Sequence, residues 1–271
     1  MCISHPLGTR YYLGRMEDGA FVPEEHHRMN WSGGPCFASE SLLDDKGRRI
    51  FWAWAVDQRS PNPEGQSALG VMTLPRVLSL SKDGSLRIEP AVELESLRRG
   101  HQRLDNLSVA PGTQIPLDAV SGECLALSLV VDVPSHGRFT LKVRCSPSQE
   151  EETAITYDRA AGALKIDTSR SSLSSEVFRP DVIAKYKGDR RDVPIQEAPF
   201  SLRAGELLTL RVFLDRSIVE VFANDRQCVT QRIYPTLNQS VGVALESDSG
   251  TSTVIQLDSW EMAAPNEGAE S

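Results

Sequence analysis

Long apolar runs are missing from this 271-residue chain. Nowhere do about eighteen hydrophobic residues follow one another, which excludes a membrane-spanning helix, and no membrane partner is expected. The opening MCISHPLGTRYYLG has no basic stretch leading into an apolar one, so the chain as written carries no ordinary export signal and is expected in the cytoplasm. Paired cysteines are lacking too. Cys2, Cys36, Cys124, Cys145 and Cys228 are odd in number, scattered, and never form a CxxC motif, which speaks against a disulfide framework or a zinc site. A basic stripe is absent from a chain of net charge −8, so nucleic acid is not an expected partner. No GxSxG elbow surrounds any serine, which removes a serine-hydrolase reading. Helical periodicity is scarce, its best instance being the short Ala91–Arg99, which reads equally as strand plus linker.

What is present is β-structure. Hydrophobic residues make up 40% and charged residues 24%, ordinary globular usage, and the length suits two moderate domains. In Gly205–Gln227, reading GELLTLRVFLDRSIVEVFANDRQ, the residues Leu208, Leu210, Val212 and Leu214 share one side of an extended segment. Val219 and Val221 share one side of the next, a period of two that predicts half-buried strands. Asp215-Arg216-Ser217 and Asn224-Asp225 supply the turns of a meander, Asn and Asp tolerating left-handed backbone. Further strands are expected at Thr9–Leu13, Phe37–Leu43, Arg49–Ala55, Val77–Leu80, Leu125–Val133, Phe139–Cys145, Ala154–Tyr157, Leu164–Asp167, Val229–Tyr234, Val241–Leu245 and Thr253–Trp260. Turn signals spaced by roughly ten residues suit sandwiches and propellers. Between Glu89 and Asn106 charge rises and apolar periodicity fades, which predicts a linker over 89–106. A two-sheet antiparallel sandwich is expected over 107–263, and a small, polar, frayed tail over 264–271.

The meander motif FLDRSIVEVFAND, with RRIFWAW at Arg48–Trp54 and GVMTLPRVLSL at Gly70–Leu80, resembles the C-terminal part of glycoside hydrolase family 32. The resemblance covers nearly the whole chain. It implies an all-β fold in which residues 1–88 form the closing portion of a five-bladed β-propeller, followed by the sandwich. It also implies a retaining hydrolase of β-fructosyl bonds, acting without a cofactor on a carbohydrate such as sucrose, sucrose 6-phosphate or a fructan. Members use an Asp nucleophile in an Asn-Asp-Pro motif, a second Asp in Arg-Asp-Pro and an acid/base Glu in Glu-Cys. The first two strings do not occur here, and Glu123-Cys124 falls in the sandwich half, far downstream of the acid/base blade. By that comparison the chain begins just after the acid/base strand and supplies neither of the two carboxyl groups, about 5 Å apart, that retention requires.

Substrate-binding positions implied by the resemblance are Trp54, Glu40 and Cys36, with no catalytic and no metal-binding residue. Trp54 matches a pocket-lining Trp, and an aromatic face suits the C–H surface of a sugar; packing within the propeller is the plainer alternative. Cys36 stands where relatives place a sugar-bonding Asp, and Glu40, two residues after Ala38, faces either the pocket or solvent. The neighbours Glu24-Glu25 and Asp44-Asp45 point to opposite faces of extended chain, DDKG reads better as a hairpin turn, and His26-His27 diverge likewise instead of converging on a metal. Two functions therefore stand side by side: an incomplete fructosyl hydrolase, inactive alone and prone to self-associate through exposed propeller edges, and a carbohydrate-binding or inter-subunit sandwich module without catalysis.

Overall fold

A computed structural model of the chain describes the backbone at residues 2–3 and the structure of 8–59, 70–180 and 191–264. The tail expected at 264–271 lies outside these residues except for Ala264. Strands β1 (Cys2–Ile3), β2 (Arg10–Glu17) and β3 (Ala20–Arg28) form a small antiparallel sheet, with Asp18-Gly19 turning β2 into β3 at positive φ. Next come β4 (Cys36–Leu43), β5 (Arg49–Ala55), the short β6 (Val71–Met72), β7 (Arg76–Leu80) and β8 (Leu86–Pro90). These make an up-and-down sheet in the order β4-β5-β7-β8, with β6 paired to β5, the form of one propeller blade.

Residues 89–106, expected to be a linker, are ordered. They hold the end of β8, a 3-10 helix at Val92–Leu97, and most of a twelve-residue strand, β9 (Arg98–Val109). The charge that hid β9 has a structural reason. It is an edge strand whose residues are mostly exposed, and only Leu104, Leu107 and Val109 turn toward the core; charged side chains on an edge also discourage pairing with other chains.

The sandwich continues with β10 (Thr113–Ser121), β11 (Cys124–Asp132), β12 (Arg138–Cys145), β13 (Thr153–Asp158), β14 (Ala163–Asp167), β15 (Ile195–Pro199), β16 (Leu208–Asp215), β17 (Ile218–Ala223), β18 (Gln227–Arg232), β19 (Gly242–Ser247) and β20 (Ser252–Met262). One sheet runs β10-β19-β12-β13-β14-β15 and the other β18-β17-β16-β11-β20-β9. Between them lies a core of Leu127, Leu129, Phe139, Leu141, Ile155, Leu210, Val221 and their neighbours. Asn224 and Asp225 take φ of 45° and 54°, the left-handed turn their composition predicts.

One expectation is corrected. Strands β17 and β18 are buried along their entire length rather than on alternate residues. Their inward phase enters the sandwich core, and their outward phase, including Phe222 and Cys228, meets Phe51, Ala53 and Leu78 of the blade-like sheet in a second core. At β17 and β18 the sandwich sheet is thus covered on both faces.

Glu151 closes the loop end of the sandwich. Its fully buried carboxylate accepts bonds from Leu173 N (3.0 Å), Thr236 N (2.8 Å), Thr236 Oγ1 (2.7 Å), Leu237 N (3.1 Å) and Ser240 Oγ (2.6 Å). Burial pushes this carboxyl up, but the bonds from Ser240, Thr236 and Leu237 outweigh it and hold the group below its usual range. A lowered folded-state value stabilises the fold above the unfolded value of about 4.3, and that contribution is lost as pH falls through the folded value. Glu151→Gln is therefore expected to cost about 2 kcal/mol at neutral pH. In denaturant titrations the gap from wild type should close below about pH 4.

Candidate functional site: an aromatic row on the open face of the blade

Register decides which side chains share the face. Phe37 on β4 lies opposite Trp54 on β5, and Trp54 lies opposite Met72 on β6, so the three form a row across the sheet. Their relative exposures of 37%, 38% and 59% leave the row open to solvent. Glu40 lies opposite Trp52 in the next row of the same face. Phe37 and Glu40 are three residues apart and would point oppositely on a regular strand. A bulge at Ala38-Ser39 restores the phase, the ladder shifting between Phe37 and Glu40 while Ala38 takes φ of 47°. Glu40 has no hydrogen-bonding or ionic partner among the described residues, which leaves its carboxylate available to hydroxyl donors. Gly70 packs at the edge of the indole, where a Cβ would stand 2.2 Å from Trp54 Nε1.

Trp54 and Glu40 are therefore brought to one face, and Cys36 is not. Cys36 is buried on the opposite side of the sheet, its N–H donating to Asn30 Oδ1 at 3.3 Å, within the core that joins blade and sandwich. Burial there pushes its thiol up, keeping it neutral, so Cys36 is neither a stand-in for a carboxylate nor a surface for sugar.

That buried side holds two residues the sequence did not single out. Arg76 and Glu220, 1% and 2% exposed, pair at 2.6 Å between Arg76 Nη2 and Glu220 Oε2. Glu220 Oε1 also accepts from Leu74 N at 2.6 Å, and Thr230 Oγ1 bonds both partners. The guanidinium lies 5.7 Å from the Phe51 ring centre and 5.8 Å from that of Phe222. The signal was present: Arg76 belongs to GVMTLPRVLSL and Glu220 to FLDRSIVEVFAND, the two motifs that carried the resemblance.

Asp44, Asp57, Glu24, Glu25 and Glu123 are each held by partners. Asp44 caps the hairpin turn, bonding Lys46 N at 3.0 Å and Arg48 N and Nε at 2.7 Å. Asp57 is held by Arg59 at 2.7 Å, with Tyr234 donating to it at 3.3 Å. Glu24 pairs with Arg15, and Glu25 with His27 at 2.8 Å. Glu123, of the Glu-Cys string, lies in the sandwich and pairs with Arg144 at 3.1 Å. His26 and His27 stack on different tyrosines, Tyr12 and Tyr11. Among the described residues no cluster of three or more His, Cys, Asp or Glu is placed to hold a metal, and no helix is long and apolar enough to cross a membrane.

Comparison with known proteins gives a consistent result. The family model described as the glycosyl hydrolases family 32 N-terminal domain matches residues 3–90, and that described as glycosyl hydrolases family 32 C terminal matches residues 93–261. The chain is 26% identical to a fructan 1-exohydrolase of Aegilops speltoides, over 93% of this chain and 49% of that protein. It is 27% identical to the vacuolar acid β-fructofuranosidase 4 of Arabidopsis thaliana, over 77% of this chain and 36% of that one. The crystal structure of fructan 1-exohydrolase IIa from Cichorium intybus superposes with a TM-score of 0.80 at 21% identity, covering 95% of this chain and 55% of that one. Sucrose-6-phosphate hydrolase from Lactobacillus gasseri gives 0.71 at 19%, covering 94% and 48%. At these identities the structural likeness speaks for the fold alone. The chain spans about half the length of the fructan exohydrolases it matches.

Because the bulge places an L residue at positive φ, Ala38→Gly is expected to hold or raise stability by up to about 1 kcal/mol. Ala38→Val is expected to lower it by about 1–2 kcal/mol, both read from chemical denaturation midpoints.

Proposed function

The chain belongs to glycoside hydrolase family 32, and from that premise we propose that it serves the hydrolysis of β-fructosyl bonds of the sucrose or fructan type by binding and orienting the sugar. The observation that carries this reading is the row Phe37–Trp54–Met72 with the unpaired Glu40 beside it. An indole excludes water from the C–H face of a furanosyl ring, and a neighbouring carboxylate accepts hydroxyl donors that fix the ring's rotation. Retention of configuration needs one carboxylate to attack the anomeric carbon and a second acid to protonate the leaving oxygen. Glu40 is one such group, and Asp44 and Asp57 are committed to arginines. The reading therefore assigns binding to these 271 residues and leaves the reacting pair to the motifs their sequence does not contain.

The same exposed row supports a second reading, in which Phe37, Trp54 and Met72 are covered by another polypeptide and the chain acts as an association module. The two part in one set of measurements on the purified, folded chain. The first predicts no fructose release from sucrose, sucrose 6-phosphate, inulin or levan, together with saturable binding of fructo-oligosaccharides that Trp54→Ala weakens about tenfold or more. Release above a heat-killed control would overturn the assignment of catalysis elsewhere. Concentration-dependent sedimentation abolished by Trp54→Ala, without sugar binding, would establish the second.

A further inference from the structure

Trp54 stands on the blade, but the contacts that fix its surroundings reach back into the sandwich. Segment 70–76 runs alongside β5: Met72 pairs with Trp54 and Val71 with Ala55. Thr73 N donates to Ala53 O at 2.9 Å, and Ala53 N donates to Thr73 Oγ1 at 3.0 Å. At the start of the segment Gly70 lies against the indole and against Ala55 O, with no room for a side chain. The flank of the segment away from β5 is loosely filled. Met72 and Leu74 border a cleft of about 520 Å³ between the modules, with Leu94, Phe213, Ile218 and Met262 opposite. Side chains bordering a cleft lack neighbours on one side and lose those dispersion contacts, so packing alone does not set where the segment lies. Polar contacts do. Glu220 on β17 receives Leu74 N on one oxygen and Arg76 on the other, both at 2.6 Å, gripping the segment directly after Thr73.

We propose that Glu220 is a positioning residue for Trp54: through Leu74, Thr73 and Ala53 the sandwich sets the angle at which the indole meets a sugar. This rests on the reading of Trp54 as the sugar-facing platform. It also assigns the sandwich a part in recognition without any contact between sandwich and sugar.

The test uses the whole chain labelled with 5-fluorotryptophan. Its four tryptophans, Trp31, Trp52, Trp54 and Trp260, give four fluorine resonances, and Trp54→Phe identifies the one of interest. Glu220→Gln keeps the side chain's shape and an oxygen for Leu74 N while removing the charge that holds Arg76; it is expected to shift or broaden the Trp54 resonance more than that of Trp31. Thr73→Val cuts the relay at Ala53, leaves the ion pair intact, and is expected to move the same resonance. In its presence Glu220→Gln should add little, the non-additivity expected of two residues on one path. Affinity for inulin-type oligosaccharides, by calorimetry, should fall about tenfold in each single variant, the scale of one aromatic contact. If Glu220→Gln does not fold, Thr73→Val carries the test alone. An unmoved Trp54 resonance in folded variants overturns the positioning, whatever happens to binding. A moved resonance in a chain whose wild type binds no sugar supports the positioning and removes the reading of Trp54 as a sugar platform.

Discussion

The ion pair between Arg76 and Glu220 is the point on which the two modules register. Each residue lies on a different sheet, and each is almost fully buried. Such a pair contributes little net stability relative to apolar residues of the same shape, because both ions are desolvated. Its effect is selective. Any sliding of the blade across the sandwich strands a guanidinium or a carboxylate in a site walled by Phe51, Phe222 and Cys228, at a cost of about 3–5 kcal/mol for a broken buried pair. The apolar contacts around it would tolerate such a slide; the charges do not.

That constraint also explains where reading the sequence worked and where it failed. The alternation along β16 and β17 is legible because it reflects the sandwich's own core, and local turn chemistry at Asn224-Asp225 agrees with it. The opposite phase contains Glu220, Thr230 and Arg232, which in isolation read as solvent-facing. Their burial depends on a second sheet contributed by residues some 140 to 180 positions away, as in the pairings Arg76–Glu220 and Arg232–Ala55. Periodicity carries no record of such partners. Strand β9 fails for the converse reason. It sits at an edge and needs few apolar residues, so RRGHQR resembles a connection although it pairs along its length with β20.

At the site, one backbone irregularity decides which side chains share a face. On a regular strand Cys36 and Glu40, four residues apart, share a face, and both were expected to approach the sugar. The bulge at Ala38-Ser39 inverts the phase between them, sending Cys36 into the inter-module core and Glu40 to the side of Trp52 and Trp54. Bulges re-aim side chains in this way, and an alanine at positive φ gives no warning of one, since glycine or asparagine is the usual marker.

The distribution of acidic residues follows from the same economy of partners. Among the described residues the buried and half-buried carboxylates are held by partners: Glu151 by loop amides and hydroxyls, Glu220 by Arg76 and Leu74, Asp57 by Arg59, Asp44 by Arg48. A carboxylate held by several donors is stabilised as the anion, which makes it a poor proton donor, and one bonded to arginine has its lone pairs directed away from any ligand. Glu40 differs from these: it is exposed beside the aromatic row and has no such donors among the described residues. A lone carboxylate next to an indole is equipped to grip a hydroxyl, whereas displacement at an anomeric carbon with retention needs two groups in different protonation states facing each other across the bond. On the proposed reading, recognition and reaction are therefore divided between parts of the fold, and the open face of β4, β5 and β6 is where they have to meet.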